Sequence, residues 1–476
     1  MREALQFYVD GRWVSPTSAT VIDVIDPADA GIAGRVAIGN AQDVDHAVAA
    51  ARKAFDSFSR SSVQERLDLL DAIIAAYQKR ADDIAAAVTA EMGAPAWLAS
   101  AAQVPIGLAH LQTARQILEH YEFSEKRGAT LLAKEPVGVC AFITPWNWPL
   151  NQIACKVAPA LAVGCTMVLK PSEVAPFSGH IFAEVMHEAG VPAGVFNLVH
   201  GDGPGVGAAL SAHPDVDMVS FTGSTRAGVE VARAAAPTVK RVHQELGGKS
   251  ANIVLPSADL EAAVAQGVAA MMVNSGQSCN APSRMMVAAG DMARAKTIAA
   301  AAAAEQTVGQ PASNAKLGPV VSQAQWDKVQ HLIQTGIDEG ATLVAGGTGL
   351  PDGLDAGYYV KPTVFADVTN DMIIAREEIF GPVLTILAYQ DVEQAIVMAN
   401  DTPYGLAAYV QGAAQEAGEV AGRLRAGQVY LNYPDLDMTA PFGGYKQSGN
   451  GREWGAHAFG EFLEVKAVMG YASAGA

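Results

Sequence analysis

Short β-prone runs alternate with Ala-rich helical stretches from Val137 onward. The runs are Val139–Ile143, Thr166–Leu169, Val195–Val199, Met218–Phe221 and Val239–His243. Strands separated in this way by helices are typical of parallel strands joined by crossover connections. This part of the chain therefore predicts a doubly wound α/β sheet.

A second alternation of the same kind runs from about Ala251 to Asn432. Two α/β units in series predict two domains with a cleft between them, a common place for ligands. Upstream, apolar residues at three- and four-residue spacing predict helices over Ala41–Phe58 and Val63–Glu91. In the second unit the predicted strands are Ala251–Leu255, Met285–Val287, Val383–Leu387 and Val429–Asn432, with helices at Leu260–Val273 and Val392–Asn400.

Composition favours a large folded protein and excludes several functions. The 476 residues predict two or three domains, and half of them are hydrophobic, which is enough for a large core. Acidic residues outnumber basic ones 49 to 32, and the formal net charge of −17 argues against non-specific binding to nucleic acid or anionic lipid. Four scattered cysteines without a Cys-x-x-Cys pair provide neither a disulfide framework nor a zinc site.

The sequence contains no convincing membrane span. The two longest uncharged runs, 136–155 and 262–283, contain Pro, Asn, Gln and Gly, whose polar groups would be unsatisfied in lipid. Residues 1–13 carry charges where a signal peptide needs apolar residues. A cytoplasmic enzyme without nucleic-acid or membrane partners is therefore expected.

Two strand-like segments, Ala129–Glu135 and Glu461–Gly470, fit neither alternation. An unpaired strand edge tends to pair with another chain. The segments are interpreted either as an edge that pairs with another subunit or as an ordinary edge hairpin. The sequence does not choose between these two interpretations.

Cys279 is the candidate nucleophile. It lies in the polar, small-residue run 274–284, which predicts a loop. The other three cysteines, Cys140, Cys155 and Cys165, lie in apolar contexts typical of buried thiols. A thiol becomes reactive where it is partly exposed and donors or positive potential stabilise its thiolate. Loop cysteines are also often unreactive, so position alone leaves both interpretations open.

Two glycine-rich runs match phosphate-binding fingerprints incompletely. The run from Gly203 to Ala208 fits G-x-G-x-x-A and follows a predicted strand, but Pro204 and the lack of an acidic residue ending a later strand weaken the match. Gly248-Lys249-Ser250 resembles the end of a Walker A loop, but His243 occupies the position of its first glycine. ATP binding is therefore not expected, and the sequence also contains no His-Glu-x-x-His or Gly-x-Ser-x-Gly motif.

A third glycine has a better placement for a pyrophosphate. Gly223 directly follows the strand Met218–Phe221 and begins a predicted helix. The free amides at the start of a helix can face an anion. The alternative is a plain helix capped by Ser224 or Thr225.

Six motifs occur in a fixed order along the chain. They are Thr144–Pro149, Lys170–Glu173, Gln244–Lys249, Gly276–Cys279, Glu377–Pro382 and Pro441–Gly449. Together they resemble the NAD(P)-dependent aldehyde dehydrogenase superfamily, from about Phe7 to Gly470. The resemblance implies a Rossmann-like cofactor domain, a catalytic domain and a small β element for oligomerisation. In this chain they correspond to residues 1–121 with 137–247, residues 248–455, and residues 122–136 with 456–476.

The resemblance implies three catalytic residues. Cys279 as a thiolate attacks the aldehyde carbon, and the Asn147 side-chain amide with the Cys279 backbone N–H holds the resulting oxyanion. Glu245 is the general base that activates water against the thioester, and its partly apolar neighbours favour a pKa raised toward neutrality. Relatives that transfer the acyl group to coenzyme A lack this carboxylate, so hydrolysis to a free carboxylic acid is expected.

The resemblance also implies a nicotinamide cofactor. Lys170 and Glu173 match residues that hold the adenosine ribose, and a carboxylate there repels a 2′-phosphate, so NAD is favoured over NADP, although some relatives with this glutamate use both. Glu378 resembles the residue that binds the nicotinamide ribose, and Phe380 the ring beside the nicotinamide. The full set of expected cofactor residues is Thr144, Trp146, Lys170, Ser172, Glu173, Gly203, Gly207, Phe221, Gly223, Ser224, Leu246, Glu378 and Phe380.

The substrate is expected to be an apolar aliphatic or aromatic aldehyde, because Trp148 and Met438 match positions that line the aldehyde tunnel. Asp435 and Asp437 would disfavour an acidic aldehyde if they point inward. A semialdehyde dehydrogenase, and a cysteine acyl transferase or esterase that forms the thioester without redox chemistry, remain alternatives. A non-enzymatic role for an inherited fold is a third hypothesis. A homodimer or homotetramer is expected.

Overall fold

The computed structural model describes residues 1–471. In the first half of the chain the strands are β1 (Arg2–Ala4), β2 (Phe7–Val9), β3 (Arg12–Val14), β4 (Val21–Ile25), β5 (Ile32–Ala37), β6 (Ser124–Arg127), β7 (Thr130–Pro136), β8 (Val139–Ile143), β9 (Thr166–Lys170), β10 (Phe196–Leu198), β11 (Met218–Thr222) and β12 (Arg241–Glu245). The helices are α1 (Ala41–Phe58), α2 (Val63–Lys79), α3 (Ala81–Met92), α4 (Ala96–Leu98), α5 (Val104–Leu118), α6 (Pro149–Val163), α7 (Phe177–Glu188), α8 (Ala208–Ala212) and α9 (Thr225–Ala235).

The second half repeats the alternation. Its strands are β13 (Ala251–Val254), β14 (Arg284–Ala288), β15 (Thr342–Ala345), β16 (Thr363–Ala366), β17 (Val383–Tyr389), β18 (Ala407–Gln411), β19 (Gln428–Leu431), β20 (Gly449–Asn450) and β21 (Leu463–Met469). Its helices are α10 (Leu260–Met272), α11 (Met292–Ala304), α12 (Gln323–Asp338), α13 (Ile373–Arg376), α14 (Val392–Asn400), α15 (Ala414–Ala421) and α16 (Gly455–Glu461).

Two large sheets organise these elements. An eight-stranded sheet has the order β20-β12-β11-β8-β9-β10-β2-β3, in which β12 to β10 are parallel and the outer strands antiparallel. A seven-stranded sheet has the order β15-β16-β17-β14-β13-β18-β19 and is parallel except for β15. The prediction of two parallel α/β sheets is confirmed, and the antiparallel edges are additions that the alternation did not indicate.

Two small sheets complete the fold. β1, β5 and β4 form one of them, and β21, β7 and β6 form an antiparallel sheet in which Leu463 pairs with Pro136. The two strand-like segments left over from the alternations are thus partners of each other. β20 lies in the range predicted for the catalytic domain but forms the edge of the eight-stranded sheet beside β12. The division into residue ranges stays a prediction, and residues 472–476 of the last range lie outside the described residues.

Local sequence explains where several elements begin and where two predictions were wrong. The capping box of Asn40 with Asp43 begins α1, and that of Ser62 with Glu65 begins α2. The single helix predicted over Val63–Glu91 is broken at Arg80, whose guanidinium pairs with carboxylates of α3 and α7. β12 begins at Arg241, later than predicted, because Val239 has a left-handed φ of 55°.

Helix α6 begins at Pro149, the last residue of the Thr144–Pro149 motif, and is buried along its whole length. This burial accounts for its nearly uncharged sequence, in which Lys156 is the one charged residue. Among residues 1–471, no helix combines the length and the apolar composition that crossing a membrane requires.

Candidate active site

The loop that carries Cys279 has an unusual backbone. Asn274, Ser275 and Gly276 have consecutive left-handed φ values of 55°, 54° and 72°. A Cβ atom on Gly276 would lie 2.1 Å from the Gly381 carbonyl oxygen, so only glycine fits there. Non-glycine residues in this region are uncommon and often occur at functional sites. The turn leaves the Cys279 side chain partly exposed, whereas Cys140, Cys155 and Cys165 are buried.

The Asn147 side chain is directed at the loop of Cys279. It is 3% exposed, and its Nδ2 donates a hydrogen bond of 3.0 Å to the carbonyl oxygen of Gln277. The backbone carbonyl oxygen of Asn147 accepts hydrogen bonds from Gln103 Nε2 and Asn274 Nδ2. These contacts hold the amide of Asn147 next to the nucleophile loop.

Gln103 is a functional neighbour that the sequence did not indicate. It ends a π-helical turn over Ala99–Gln103, and such turns are frequent at functional sites. Its amide lies within hydrogen-bond distance of both Asn147 and Asn274. Because these contacts join distant parts of the chain, no local sequence signal predicts them.

Glu245 ends strand β12 and is 2% exposed. Neither of its carboxylate oxygens has a hydrogen-bond partner among residues 1–471. Burial, reinforced by the nearby Glu453 carboxylate, raises the pKa of Glu245 well above its usual range. A Cβ atom on Gly443 would lie 2.7 Å from Glu245 Oε1, so a glycine at that position leaves room for the carboxylate.

The surroundings of Cys279 favour the protonated thiol. Burial raises the pKa of the thiol, and the carboxylates of Glu245 and Glu378 act in the same direction. The raised pKa of Glu245 is the property of a group that can accept a proton from water.

Two cavities meet at Cys279. The first, which we call the charged cleft, has a volume of about 710 Å³, and the second, the aromatic cavity, about 1060 Å³. Cys279 and Gln152 line both of them. The charged cleft is lined by Pro145, Trp146, Asn147, Gln152, Thr222, Gly223, Ser224, Glu245, Leu246, Gly247, Cys279, Gln325, Lys328, Glu378 and Phe380.

No Asp, Glu, Lys, Arg or His lines the aromatic cavity. Its lining is Ile106, Trp148, Asn151, Gln152, Ala270, Val273, Ser278, Cys279, Asn280, Ala281, Pro282, Tyr409, Tyr430, Tyr433, Pro434, Leu436, Phe442 and Trp454. The rings of Tyr409 and Tyr430 stack with centroids 4.8 Å apart. Trp148 Nε1 donates to Ser278 Oγ at 2.8 Å, which fixes the indole next to Cys279.

Six of the thirteen expected cofactor residues line the charged cleft, and seven do not. The six are Trp146, Gly223, Ser224, Leu246, Glu378 and Phe380. The seven are Thr144, Lys170, Ser172, Glu173, Gly203, Gly207 and Phe221. Phe221 lies within β11 and Lys170 is the last residue of β9, and the other five follow the carboxyl ends of strands β8, β9 and β10, which are successive neighbours in the eight-stranded sheet. They continue the row of strand ends that begins at Glu245.

The ribose-binding candidates lie together beyond the charged cleft. Lys170 is buried, and its Nζ pairs with Glu173 at 3.0 Å. A Cβ atom on Gly207 would lie 3.9 Å from Lys170 Cδ, so the helical turn Gly203–Gly207 runs beside this lysine. Ser172 Oγ accepts a hydrogen bond from the backbone of Val174 and thereby closes the turn after β9.

The run after β11 forms a capped helix whose start faces the charged cleft. Ser224 Oγ accepts a hydrogen bond from the Ala227 amide at the first turn of α9. A Cβ atom on Gly223 would lie 2.6 Å from the Phe221 ring, so a larger residue at this position would displace that ring. The capped helix and the anion site are therefore compatible interpretations of one structure. The Thr144 and Thr222 hydroxyls nearby are buried without partners in the described part of the chain.

Glu378 and Phe380 are held at the side of the charged cleft that belongs to the second sheet. Glu378 Oε1 accepts a hydrogen bond of 2.9 Å from the Gly248 amide. Phe380 has a left-handed φ of 60°, and its ring meets Trp146 nearly at a right angle, with centroids 5.4 Å apart. An aromatic residue in this conformation is rare and is usually fixed by its surroundings.

These features fit a dinucleotide. The charged cleft lies at the carboxyl ends of parallel strands, where α/β sheets bind such ligands. It offers the unpartnered Thr222 hydroxyl, a helix start and a row of strand ends long enough for an extended molecule, and Thr144, next in sequence to the lining residue Pro145, has a second unpartnered hydroxyl. Within residues 1–471, no group of three or more His, Cys, Asp or Glu side chains is arranged to hold a metal ion.

Comparison with known proteins agrees with this geometry. The model of the aldehyde dehydrogenase family matches residues 13–468. A 3-succinoylsemialdehyde-pyridine dehydrogenase from a Pseudomonas species is 58% identical over 474 residues, which cover 99% of each chain. The crystal structure of a cysteine-to-alanine mutant of aldehyde dehydrogenase C from Pseudomonas syringae, in complex with NAD+ and octanal, is 53% identical with a TM-score of 0.98 and covers 99% of this chain and 98% of that chain. An aldehyde dehydrogenase from Bartonella henselae is 46% identical with a TM-score of 0.97 and covers 99% of this chain and 100% of that chain.

The fold and the two cavities define an α/β oxidoreductase with a cysteine between its two binding spaces. The chain belongs to the aldehyde dehydrogenase family. The resemblance inferred from the six ordered motifs is thereby confirmed, and the chain is an enzyme that oxidises aldehydes.

Proposed function

We propose that this enzyme oxidises an uncharged apolar or aromatic aldehyde to the free carboxylic acid with NAD. Cys279 forms the thioester, Asn147 binds the oxyanion and Glu245 is the general base of hydrolysis. The observation that carries the proposal is the position of Cys279 at the junction of the charged cleft and the aromatic cavity. An aldehyde in one cavity and a cofactor in the other can both reach the same sulfur.

The first step joins the aldehyde to the enzyme. The Cys279 thiol gives up its proton to water, and the sulfur forms a bond to the aldehyde carbon while the carbonyl π pair moves to oxygen. The oxyanion accepts hydrogen bonds from the Asn147 amide, which turns from the Gln277 carbonyl, and from the Cys279 backbone N–H. The product of this step is a thiohemiacetal on Cys279.

NAD, when bound, accepts a hydride from the carbon of this adduct. The residues that fit it are Glu378 and Phe380 for the nicotinamide half, Ser224 and Gly223 for the pyrophosphate, and Lys170 with Glu173 for the adenosine ribose. Because the Glu173 carboxylate disfavours a 2′-phosphate, NAD is favoured over NADP. Loss of the hydride leaves a thioester on Cys279.

The second half of the reaction is hydrolysis. Glu245 takes a proton from water, and the water oxygen forms a bond to the thioester carbon. The carbon–sulfur bond then breaks, and the sulfur leaves as a thiolate that is reprotonated. The acid product contains the aldehyde carbon and one water oxygen, and the electron pair of the oxidised C–H bond has left as hydride. Glu245 distinguishes this route from transfer to coenzyme A.

The charge-free lining of the aromatic cavity supports an uncharged substrate. Asp435 and Asp437 do not line it, and Asp437 Oδ1 accepts hydrogen bonds from Thr439, so neither aspartate decides the charge of the substrate. The Pseudomonas relative is named for a semialdehyde that carries a pyridine ring, and a related structure contains octanal. Both molecules lack a carboxylate. A semialdehyde substrate is therefore supported when its second group is an aryl ketone rather than an acid.

An aldehyde panel tests the proposal. The purified protein is mixed with octanal, benzaldehyde, an aryl ketone semialdehyde and a carboxylate-bearing semialdehyde, each with NAD or NADP, and absorbance at the nicotinamide band is followed. We expect rapid NADH formation with the uncharged aldehydes and slow turnover of the carboxylate-bearing one. Hydrolysis of an ester without aldehyde-dependent NADH would instead support the acyl transferase or esterase alternative.

We also propose that the β21–β7–β6 sheet joins subunits into a homodimer or homotetramer. β21 is an edge strand, and its Val465 and Met469 side chains are 66% and 82% exposed. An exposed edge with apolar side chains is a template for pairing with a second copy. Light scattering on the full chain and on a Val465→Glu variant tests this, and we expect the variant to lower the mass of the assembly.

A further inference from the structure

A chain of polar side chains runs through the protein interior to the back of Glu245. Lys156 of α6 donates to Ser220 Oγ of β11 at 3.1 Å, and Ser220 Oγ lies 3.0 Å from His243 Nδ1 of β12. His243 Nε2 then lies 3.7 Å from Glu245 Oε1. All four side chains are buried. Lys156 is held in place by an ion pair with Glu453.

The Lys156 contact favours one tautomer of His243. An ammonium group can only donate, so Ser220 Oγ accepts from Lys156. The Ser220 hydroxyl proton is then free to be donated to His243 Nδ1. A neutral imidazole that accepts at Nδ1 carries its own proton at Nε2. In this tautomer the Nε2–H group faces the Glu245 carboxylate, whereas in the other tautomer Nδ1–H would face Ser220 and Glu453 Oε1, which lies 3.9 Å from Nδ1.

The surroundings of His243 favour its neutral form. Burial is the largest cause that lowers its pKa to about 4; the Glu453 carboxylate opposes this shift, and the positive charges of Lys156 and Arg452 add to it. The charged and titratable groups that influence Glu245 come from several elements, namely His243 of its own strand, Lys156 of α6, Cys279 of the nucleophile loop, Arg452 and Glu453 after β20, and Glu461 of α16. His243 is the one basic side chain in the described residues with a nitrogen within 4.0 Å of the Glu245 carboxylate.

Two groups without hydrogen-bond partners thus face each other. His243 Nε2 and both Glu245 oxygens are buried and unpartnered among residues 1–471. Their separation of 3.7 Å is too long for a hydrogen bond and too short for an intervening water, so a small rotation of the Glu245 side chain closes the contact. A buried carboxylate is costly when it ionises without a donor. The contact between His243 Nε2 and Glu245 is therefore most stabilising when Glu245 is ionised.

We propose that His243 is a positioning residue for the general base, whose Nε2–H group binds ionised Glu245 and orients it for hydrolysis of the thioester. This inference rests on the proposed function, because it assigns a partner to the base of that reaction. Ser220 acts one step further back by keeping the proton of His243 on Nε2. The sequence pattern assigned His243 no role beyond excluding a Walker A loop.

A matched pair of variants tests the proposal. In His243→Asn, the short amide overlaps the Nδ1 side of the ring, so contact with Ser220 is kept and the donor toward Glu245 is lost. In His243→Gln, the longer amide reaches the Nε2 side and keeps a donor for Glu245. Ser220→Ala removes the hydroxyl that keeps the His243 proton on Nε2, and it leaves the imidazole in place. Rapid mixing of each protein with NAD and octanal separates the first NADH burst from the steady rate that follows.

We expect His243→Asn to slow thioester hydrolysis roughly 10- to 100-fold, the worth of a hydrogen bond to a charged group, and to change the burst rate by less than about threefold. Without the donor, ionised Glu245 is less stable and its pKa rises. The acid limb, which is the part of the pH profile where the hydrolysis rate increases with pH, therefore moves about one to two pH units higher. His243→Gln is expected to recover most of both effects, and Ser220→Ala to show a smaller loss of about threefold.

The inference is overturned if His243→Asn hydrolyses the thioester at the wild-type rate with an unmoved acid limb. It is also overturned if the Asn and Gln variants lose the same activity with the same pH profile, since that pattern indicates a packing role. Absence of aldehyde-dependent NADH in the wild-type protein would instead contradict the proposed function. If His243→Asn does not fold, the Ser220→Ala variant decides the question by the same two measurements.

Discussion

The two cavities that meet at Cys279 differ in the side chains that form them. The charged cleft contains Glu245, Lys328 and Glu378, and the pKa of each of its carboxyl groups is raised. The only ionisable side chains that line the aromatic cavity in the described residues are three tyrosines and Cys279, which it shares with the charged cleft. Titratable groups with shifted pKa values are typical of catalytic sites. The comparison therefore supports the proposal that proton and hydride chemistry take place on one side of the sulfur and substrate selection on the other.

This division between the two cavities explains how one fold can act on different aldehydes. The charged cleft takes residues from strand ends, such as Thr222 and Glu245, and from helices α6 and α12. Its Cys279 and Phe380 depend on left-handed backbone turns that tolerate little change. The aromatic cavity is formed in part by the loop segment Tyr433–Leu436, and loops change more readily than strands. Substitutions in the cleft should alter rate constants, and substitutions in the cavity should alter which aldehyde is used.

The largest effect is expected where the two cavities share a residue. Cys279→Ala removes the nucleophile, so aldehyde-dependent NADH formation should fall roughly ten-thousand-fold or more. Cys140→Ala is the matched control, because Cys140 is a buried thiol away from both cavities. Steady-state NADH absorbance measures both variants. Equal losses in the two would remove the distinction between Cys279 and the structural cysteines.

The next largest effect is expected on the charged side. Glu245→Gln keeps the shape of the side chain but cannot take a proton, so turnover should fall roughly 100- to 10,000-fold. In the wild-type protein the raised pKa of Glu245 makes hydrolysis faster as pH rises, because only the ionised carboxylate accepts a proton. The hydrolysis rate of Glu245→Gln should not show this increase with pH. Glu230→Gln, at an exposed pair with Arg233, is the control that keeps the rate.

A smaller loss is expected for the oxyanion donor. Asn147→Ala should reduce kcat roughly 100- to 1000-fold, which is typical for removal of one preorganised donor. The NADH burst should slow together with turnover, because the oxyanion forms before the hydride leaves. A normal burst followed by slow turnover would instead place the action of Asn147 in hydrolysis. Stopped-flow absorbance distinguishes the two patterns.

On the aromatic side we expect a change of preference rather than a loss. Leu436 lines the aromatic cavity and is largely exposed, so Leu436→Lys can place a positive charge there without burying it. The kcat/KM for a carboxylate-bearing aldehyde relative to octanal should rise roughly tenfold, and the KM for NAD should stay constant. A changed KM for NAD would show that the two cavities are not separate in function. Leu436→Met is the uncharged control.

The smallest effect is expected at Glu173, a candidate for binding the adenosine ribose. Glu173→Gln removes the charge that opposes a 2′-phosphate, and it also weakens the pair with Lys170. Use of NADP relative to NAD should increase by about tenfold or less, while the aldehyde preference stays the same. Initial rates with both cofactors measure the ratio. An unchanged ratio would mean that Glu173 does not face the ribose.

The sequence predicted the parts of this account that depend on local pattern. The strand Val139–Ile143 and the helix Ala41–Phe58 have the predicted bounds, because their hydrophobic spacing and, for the helix, the Asn40 capping box are local features. The loop context made Cys279 the candidate nucleophile, and the order of six motifs supported it and made Glu245 the candidate base. Arg80 broke a predicted helix because its ion pairs reach other elements, which no local spacing encodes.

Other parts of the site depend on contacts between distant residues. Gln103 and Gln152 reach the active site only after the chain has folded, and neither belongs to a motif. The same holds for His243, whose meaning comes from the Lys156–Ser220 contact on two other elements. The charge-free lining of the second cavity likewise combines residues from 106 to 454. Of the two residues through which the sequence indicated its apolar character, Trp148 lines the cavity, whereas Met438 does not line it and packs against the apolar cluster that contains Phe442 and Trp454.

The measurement that tests the central claim most directly is intact-protein mass spectrometry of Glu245→Gln after brief incubation with NAD and octanal. If the thiol at the junction of the two cavities becomes a thioester that only the missing carboxylate hydrolyses, the protein gains the mass of octanal less two hydrogen atoms. Peptide mapping should then place that acyl group on Cys279. An unmodified protein that nevertheless produces NADH, or an acyl group on another residue, would contradict the account.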